Sequence, residues 1–108
     1  AGNVLLNGYP EHWIEILGAR IHAVHVKNFV RQDCGGGLHG FSDDLTVGDM
    51  PWPALCAALR RIGYTGPLTV EMIPFCRLPD LTLPDLALAR RMAIQLRQVL
   101  SHAATPAG

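Results

Sequence analysis

Two short β-rich runs constrain this chain most, Arg20 to Lys27 (RIHAVHVK) and Leu68 to Ile73 (LTVEMI). Each is bounded by turn residues: Gly18 and Asn28 flank the first, and Gly66-Pro67 and Pro74 flank the second. Both therefore read as strands. Between them, Leu55, Ala58, Leu59 and Ile62 recur at helical spacing. Asp49 is expected to cap that helix, with Pro51 near its first position. Arg60 and Arg61 suit its C-terminal end, and Gly63 stops it. Strand, helix and strand with short joints favour a parallel α/β sheet over an antiparallel one. Two strands do not by themselves distinguish an open sheet from a closed barrel.

The flanking segments add helices. Pro10 suits a first helical turn, followed by Glu11 and Glu15 and the apolar residues Trp13, Ile14, Ile16 and Leu17, with Gly18 as the stop. A last helix is expected from about 84 to 102, with Leu86, Ala89, Met92, Ala93, Leu96, Val99 and Leu100 at helical spacing. Residues 29 to 49, rich in glycine, read as a long connection. Connections of that length in a compact domain are often functional.

Composition narrows the function classes. With 108 residues the chain makes one domain at most. Its formal net charge is zero and no basic run exceeds Arg60-Arg61 or Arg90-Arg91, so no nucleic-acid partner is expected. An apolar fraction of 49% against 17% charged suits a piece of a larger core, or a homo-oligomer. The three cysteines, Cys34, Cys56 and Cys76, form no CxxC and suit free thiols in a reducing cytoplasm. The apolar stretches fall below the roughly 20 residues that cross a bilayer, so no membrane partner is expected.

Chemistry concentrates at the strand ends. Period two puts Ile21, Ala23, His25 and Lys27 on one face and His22, Val24 and Val26 on the other. In the second run Thr69, Glu71 and Ile73 share a face. His25 and Glu71 lie near the C-terminal ends, where α/β folds bind ligands. A carboxylate within LTVEMI is costly without a partner, which a metal ion or a cation would supply. His and Glu together suit a divalent metal such as Mn²⁺ or Zn²⁺. The structural alternatives are a backbone-bonded core histidine for His25 and a salt bridge to Lys27 or an arginine for Glu71. His22 and His25 point to opposite faces, so HxxH is no chelate here. His39 and the acids Asp43 and Asp44 read as solvated loop residues.

The run IHAVHVKNF resembles the VHxKD-type strand of the sugar phosphate isomerase/epimerase family, which includes the ketose 3-epimerases and has a xylose isomerase-like barrel. VGDMPWPALCAALRRIGYTGPLTVEM is similar to that family's GxGxVDW…AL…GYxGPLxVE segment, and Gly2-Asn3 to the end of its DxGN motif. The resemblance implies the C-terminal part of a (β/α)₈ TIM barrel with parallel strands: about the last two βα units and a preceding helix. Residues 1–108 would form one partial domain, without the N-terminal barrel strands.

The resemblance also implies a divalent metal held by a Glu, an Asp, a His and a second Glu. His25 matches the histidine and Glu71 the second glutamate. The Asp and the first Glu would fall before Ala1. Mn²⁺ is the first expectation, with Co²⁺, Mg²⁺ or Zn²⁺ as alternatives. Glu71 is then also a catalytic carboxylate, moving a proton next to a carbonyl through a metal-bound enediolate. The substrate would be a small sugar or sugar phosphate, with Asn3, Lys27 and Arg31 as substrate-binding residues. The 108-residue chain alone would be inactive while its parent is an isomerase or epimerase. One departure stands out: the family usually has Asp where this chain has Asn28. Competing readings are a non-catalytic α/β binding or assembly module, or another reaction on the same barrel such as inositol-pathway dehydration. Phosphodiester cleavage at damaged DNA ranks lower, since it needs several further His and acidic ligands.

Overall fold

The computed structural model describes residues 1–6, 8–30, 41–42, 44–72 and 85–104. A 3₁₀ turn at Gly2–Leu6 precedes helix α1 (Pro10–Leu17) and a second 3₁₀ turn at Gly18–Arg20. Strands β1 (Val24–Val26), β2 (Asn28–Phe29) and β3 (Phe41–Ser42) follow, then α2 (Trp52–Arg61), β4 (Leu68–Val70) and α3 (Leu86–Ala104). The expected pairing is present. β1 and β4 are adjacent and parallel, with Val24 opposite Leu68, His25 opposite Thr69 and Val26 opposite Val70.

Three expectations need correcting. The first strand begins at Val24 because Arg20 stays with α1: its Nε and Nη2 donate to Leu17 O and Ile16 O at 3.2 and 3.0 Å. The stretch from 29 to 49 is not wholly a connection. β2 and β3 pair antiparallel, Asn28 with Ser42 and Phe29 with Phe41, and two-residue strands are too short to show alternation in a sequence. Asp49 does not cap α2. Its backbone N–H donates to Phe29 O at 2.8 Å, and Pro51 holds the cap position without a side-chain hydrogen bond.

α1 packs on α2, and α2 on α3. The main core joins Leu5, Ile14, Val24, Val26, Phe29, Leu55, Ala58 and Leu59. Complete burial of a leucine such as Leu55 contributes about 2 kcal/mol. A second cluster joins Leu45, Leu88 and Met92, and Trp52, Val70 and Leu96 touch both clusters. In α3, Met92 and Val99 are buried as their spacing suggests, but Leu88 and Gln95 share the core stripe while Leu86 and Ala93 face solvent. In α1 only Ile14 of the expected apolar set is buried. Trp13, Ile16 and Leu17 join Tyr9 in an exposed stripe, because α2 covers the opposite side of this helix. An exposed apolar stripe of this kind is a surface other protein tends to cover.

The segment from Asp44 to Met50 fastens the two clusters together. Leu45 is wholly buried; its N–H donates to Gln95 Oε1 at 3.1 Å, and its carbonyl accepts from Asn28 Nδ2 at 2.8 Å and Trp52 Nε1 at 3.0 Å. The Asp44 carboxylate stays open to solvent, as a loop acid should, while accepting from the Thr46 N–H at 2.8 Å and from the Thr46 hydroxyl. The hydrogen bond from the Thr46 side chain holds the Asp44 carboxyl below its ordinary value, against the opposing effect of burial. A depressed folded pKa means that stabilisation is present above the ordinary carboxylate pKa and is lost as pH falls through the lower folded value. Thermal midpoints of wild type and Asp44→Asn should therefore differ at neutral pH and converge as the acid range is entered. Parallel curves would show that the carboxylate charge contributes nothing to this turn.

Candidate functional site

The β1–β4 register explains which ionisable side chains meet. Glu71 N–H donates to Val26 O at 3.0 Å, carrying the ladder one step past Val70 and setting Glu71 opposite Lys27. His25 precedes Lys27 by two residues on the same face and so lies diagonal to Glu71, within reach of a long side chain. Lys27 Nζ lies 2.9 Å from Glu71 Oε2, and His25 Nδ1 lies 3.7 Å from the same oxygen. His25, Lys27 and Glu71 thus converge at the C-terminal ends of two parallel strands.

Their environments differ. The His25 side chain is 62% exposed and that of Glu71 35%, whereas Lys27 is 5% exposed. Val24 and Val26 point into the helix-packed core while His25 and Thr69 look outward, so the strand face carrying the cluster is open on the side away from the helices. Lys27 is covered because the 3₁₀ turn runs directly across its stem. A Cβ on Gly2 would come within 2.6 Å of Lys27 Cγ and 2.8 Å of its carbonyl oxygen, so only glycine permits this approach. The hydrogen-bonded Lys27 ammonium holds the Glu71 carboxyl below the usual range; burial opposes this, and the charges of Lys27 and His25 add to it.

The sequence of residues 1–97 matches one family, described as xylose isomerase-like TIM barrel. That span is most of the chain. The protein belongs to the xylose isomerase-like TIM barrel family. No curated protein and no solved structure matches it. The parallel β1–β4 pair with helices packed on one side accords with this family, whose barrels alternate strand and helix and place their sites at the C-terminal strand ends.

Membership in the xylose isomerase-like TIM barrels raises the question of a metal. His25 Nδ1 and Glu71 Oε2 are 3.7 Å apart, a span that two ligands at about 2.1 Å from one ion can make. The donors, an imidazole nitrogen and a carboxylate oxygen, suit a divalent transition ion. Among the described residues no three His, Cys, Asp or Glu side chains gather at one point. The pair fits an ion as two of its ligands.

Asn3 is exposed on the 3₁₀ turn beside Gly2, and Arg31 lies outside the described residues, as do His39 and Asp43. His22 lines a cavity with Gly63 and Tyr64 at the opposite end of the strands. Cys56 is a buried free thiol in α2. No helix among the described residues is long and apolar enough to cross a membrane.

Sequence reasoning missed the support beneath the site. Asn28 is 1% exposed; its Oδ1 accepts from the N–H groups of Phe29 (2.8 Å) and Met50 (2.9 Å) while its Nδ2 donates to Leu45 O. The amide therefore joins the end of β1 to the segment leading into α2. Gln95 does the same from α3. The available signals were an amide where the VHxKD pattern that the strand resembles has Asp, and a glutamine between Met92 and Val99 on an otherwise apolar stripe.

Proposed function

We propose that the chain carries part of the active site of a divalent-metal-dependent sugar or sugar-phosphate isomerase or epimerase. The observation that carries this reading is the meeting of His25 and Glu71 at the C-terminal ends of adjacent parallel strands. In barrels of this architecture those ends hold the chemistry. Family membership supports a sugar substrate. His25 and Glu71 would hold the ion, with Mn²⁺ first and Co²⁺, Mg²⁺ or Zn²⁺ as alternatives. An Asp and a Glu of the family pattern, contributed from outside this sequence, would complete its ligands. When bound, the ion would supply Lewis-acid stabilisation of negative charge on a substrate oxygen. Glu71 is the carboxylate that takes or returns a proton at the carbon beside the carbonyl. The Lys27 ammonium holds the Glu71 carboxyl below the usual range, so the group is ionised at neutral pH and is a weaker base than an unpaired glutamate. Asn3 and Arg31 are proposed to bind substrate hydroxyls or phosphate.

The two-stranded parallel sheet would be the last two strands of an eight-stranded barrel. The open strand face and the Tyr9–Trp13–Ile16–Leu17 stripe are then surfaces that the rest of the barrel covers; self-association of this chain is the competing cover. By itself the chain should bind Mn²⁺ weakly and turn over no sugar. The test is to assay the chain alone, and the chain joined to an upstream barrel, on a panel of free and phosphorylated ketoses with Mn²⁺. Turnover by the joined protein, abolished by Glu71→Gln, is the expected result. A joined barrel inactive on every sugar, or equally active with Glu71→Gln, would refute the reading. The non-catalytic binding module is kept as the second reading because the Lys27–Glu71 ion pair gives Glu71 a structural partner without any ion.

A further inference from the structure

We infer that Lys27 is the resident counter-ion of the Glu71 carboxylate, holding the site together when no metal is bound and competing with a divalent cation for the same group. The inference rests on the metal reading of His25 and Glu71, and it replaces the substrate contact that the resemblance implies for Lys27. Three observations carry it. Lys27 stands opposite Glu71 in the strand register, with its ammonium 2.9 Å from Oε2. Its side chain is 6% exposed against 35% for Glu71, so little of the ammonium is open to a sugar approaching from solvent. Gly2 lies so close to the Lys27 stem and carbonyl that the side chain is clamped where it stands.

A buried ammonium is costly without a carboxylate, so the pair is held whenever the site is empty of other cations. A divalent ion drawn to Glu71 and His25 meets that fixed positive charge at close range, and repulsion between charges grows as the intervening medium becomes less polar. Lys27 therefore weakens binding of the ion while keeping Glu71 aimed at His25. It is a positioning residue in this arrangement, acting through Glu71.

The experiment is a titration of Mn²⁺ into the full 108-residue chain, with free Mn²⁺ followed by electron paramagnetic resonance. Variants are Lys27→Met, Lys27→Arg, Glu71→Gln and Arg61→Met. Arg61 pairs with Glu15 on the helical side and controls for the loss of one positive charge. Lys27→Met should bind Mn²⁺ about tenfold more tightly than wild type. Lys27→Arg and Arg61→Met should bind as wild type does, and Glu71→Gln should lose binding. Lys27→Gln gives the same readout should the methionine variant fail to fold. Wild-type binding that is lost in Glu71→Gln but unchanged or weakened in Lys27→Met would overturn the counter-ion role and leave the metal reading standing. Tightening in Lys27→Arg equal to that in Lys27→Met would also overturn it, because the charge would not be the cause. Absence of Mn²⁺ uptake in every variant would overturn the metal reading and the inference together.

Discussion

Asn28→Ala should destabilise the chain by about 3 kcal/mol, because a buried polar group that loses its partner costs on the order of 1–3 kcal/mol and this amide serves three backbone groups at once. The Phe29 and Met50 N–H groups would lose an acceptor at positions closed to water. The Leu45 carbonyl would keep its bond from Trp52 Nε1. A loss of this size is a large share of the 5–15 kcal/mol that usually separates folded from unfolded chains. Asn28→Asp separates the two halves of the amide's work. It keeps the acceptor oxygen but sets a second acid oxygen against Leu45 O, where Asn28 now donates. It should cost about 1–2 kcal/mol, less than alanine. Midpoints of chemical denaturation, at unchanged slope, measure both. An aspartate variant as stable as wild type would mean that the bond to Leu45 contributes nothing, and that the departure from the Asp of the resembled VHxKD pattern has no structural reason.

The same amide shows where the sequence stops being informative. Alternation and turn residues were enough to place β1, β4 and the helix between them, because those elements bury one face against a continuous core. The meeting of His25 with Glu71 followed from their positions late in two parallel strands. What could not be read was anything that depends on how a loop returns. Asn28 looked like a lost acid, since its three partners come from positions 29, 45 and 50 and only a fold brings the last two to it. Asp49 looked like a helix cap because Asp commonly caps, yet its backbone is committed to β2. The stripe on α1 was legible as apolar but not as uncovered: period shows which residues share a face, and only neighbouring elements determine which face is buried.

Glu71→Gln and Lys27→Met remove the same ion pair and should have unequal effects on the metal-free chain. Removing one member of a buried pair strands the other, and the cost depends on how well the stranded group can be hydrated. Glutamine at position 71 leaves an ammonium on a residue that is 5% exposed. Methionine at position 27 leaves a carboxylate on a side chain that is 35% exposed and can turn to water. Fully buried pairs broken on one side lose about 3–5 kcal/mol; with Glu71 a third open to solvent, a loss of about 2 kcal/mol is expected for Glu71→Gln. Lys27→Met should lose less than half of that, since the methionine stem fills the space under Gly2 and the charge left behind is the solvated one. The double variant should be more stable than Glu71→Gln alone, because the buried charge that lost its Glu71 partner is gone. Denaturation midpoints of the two single variants and the double variant, measured with chelator present, give all three terms. If Lys27→Met proves the more damaging single change, the packing of the lysine stem, and not the pairing of its charge, is what the fold requires at the end of β1.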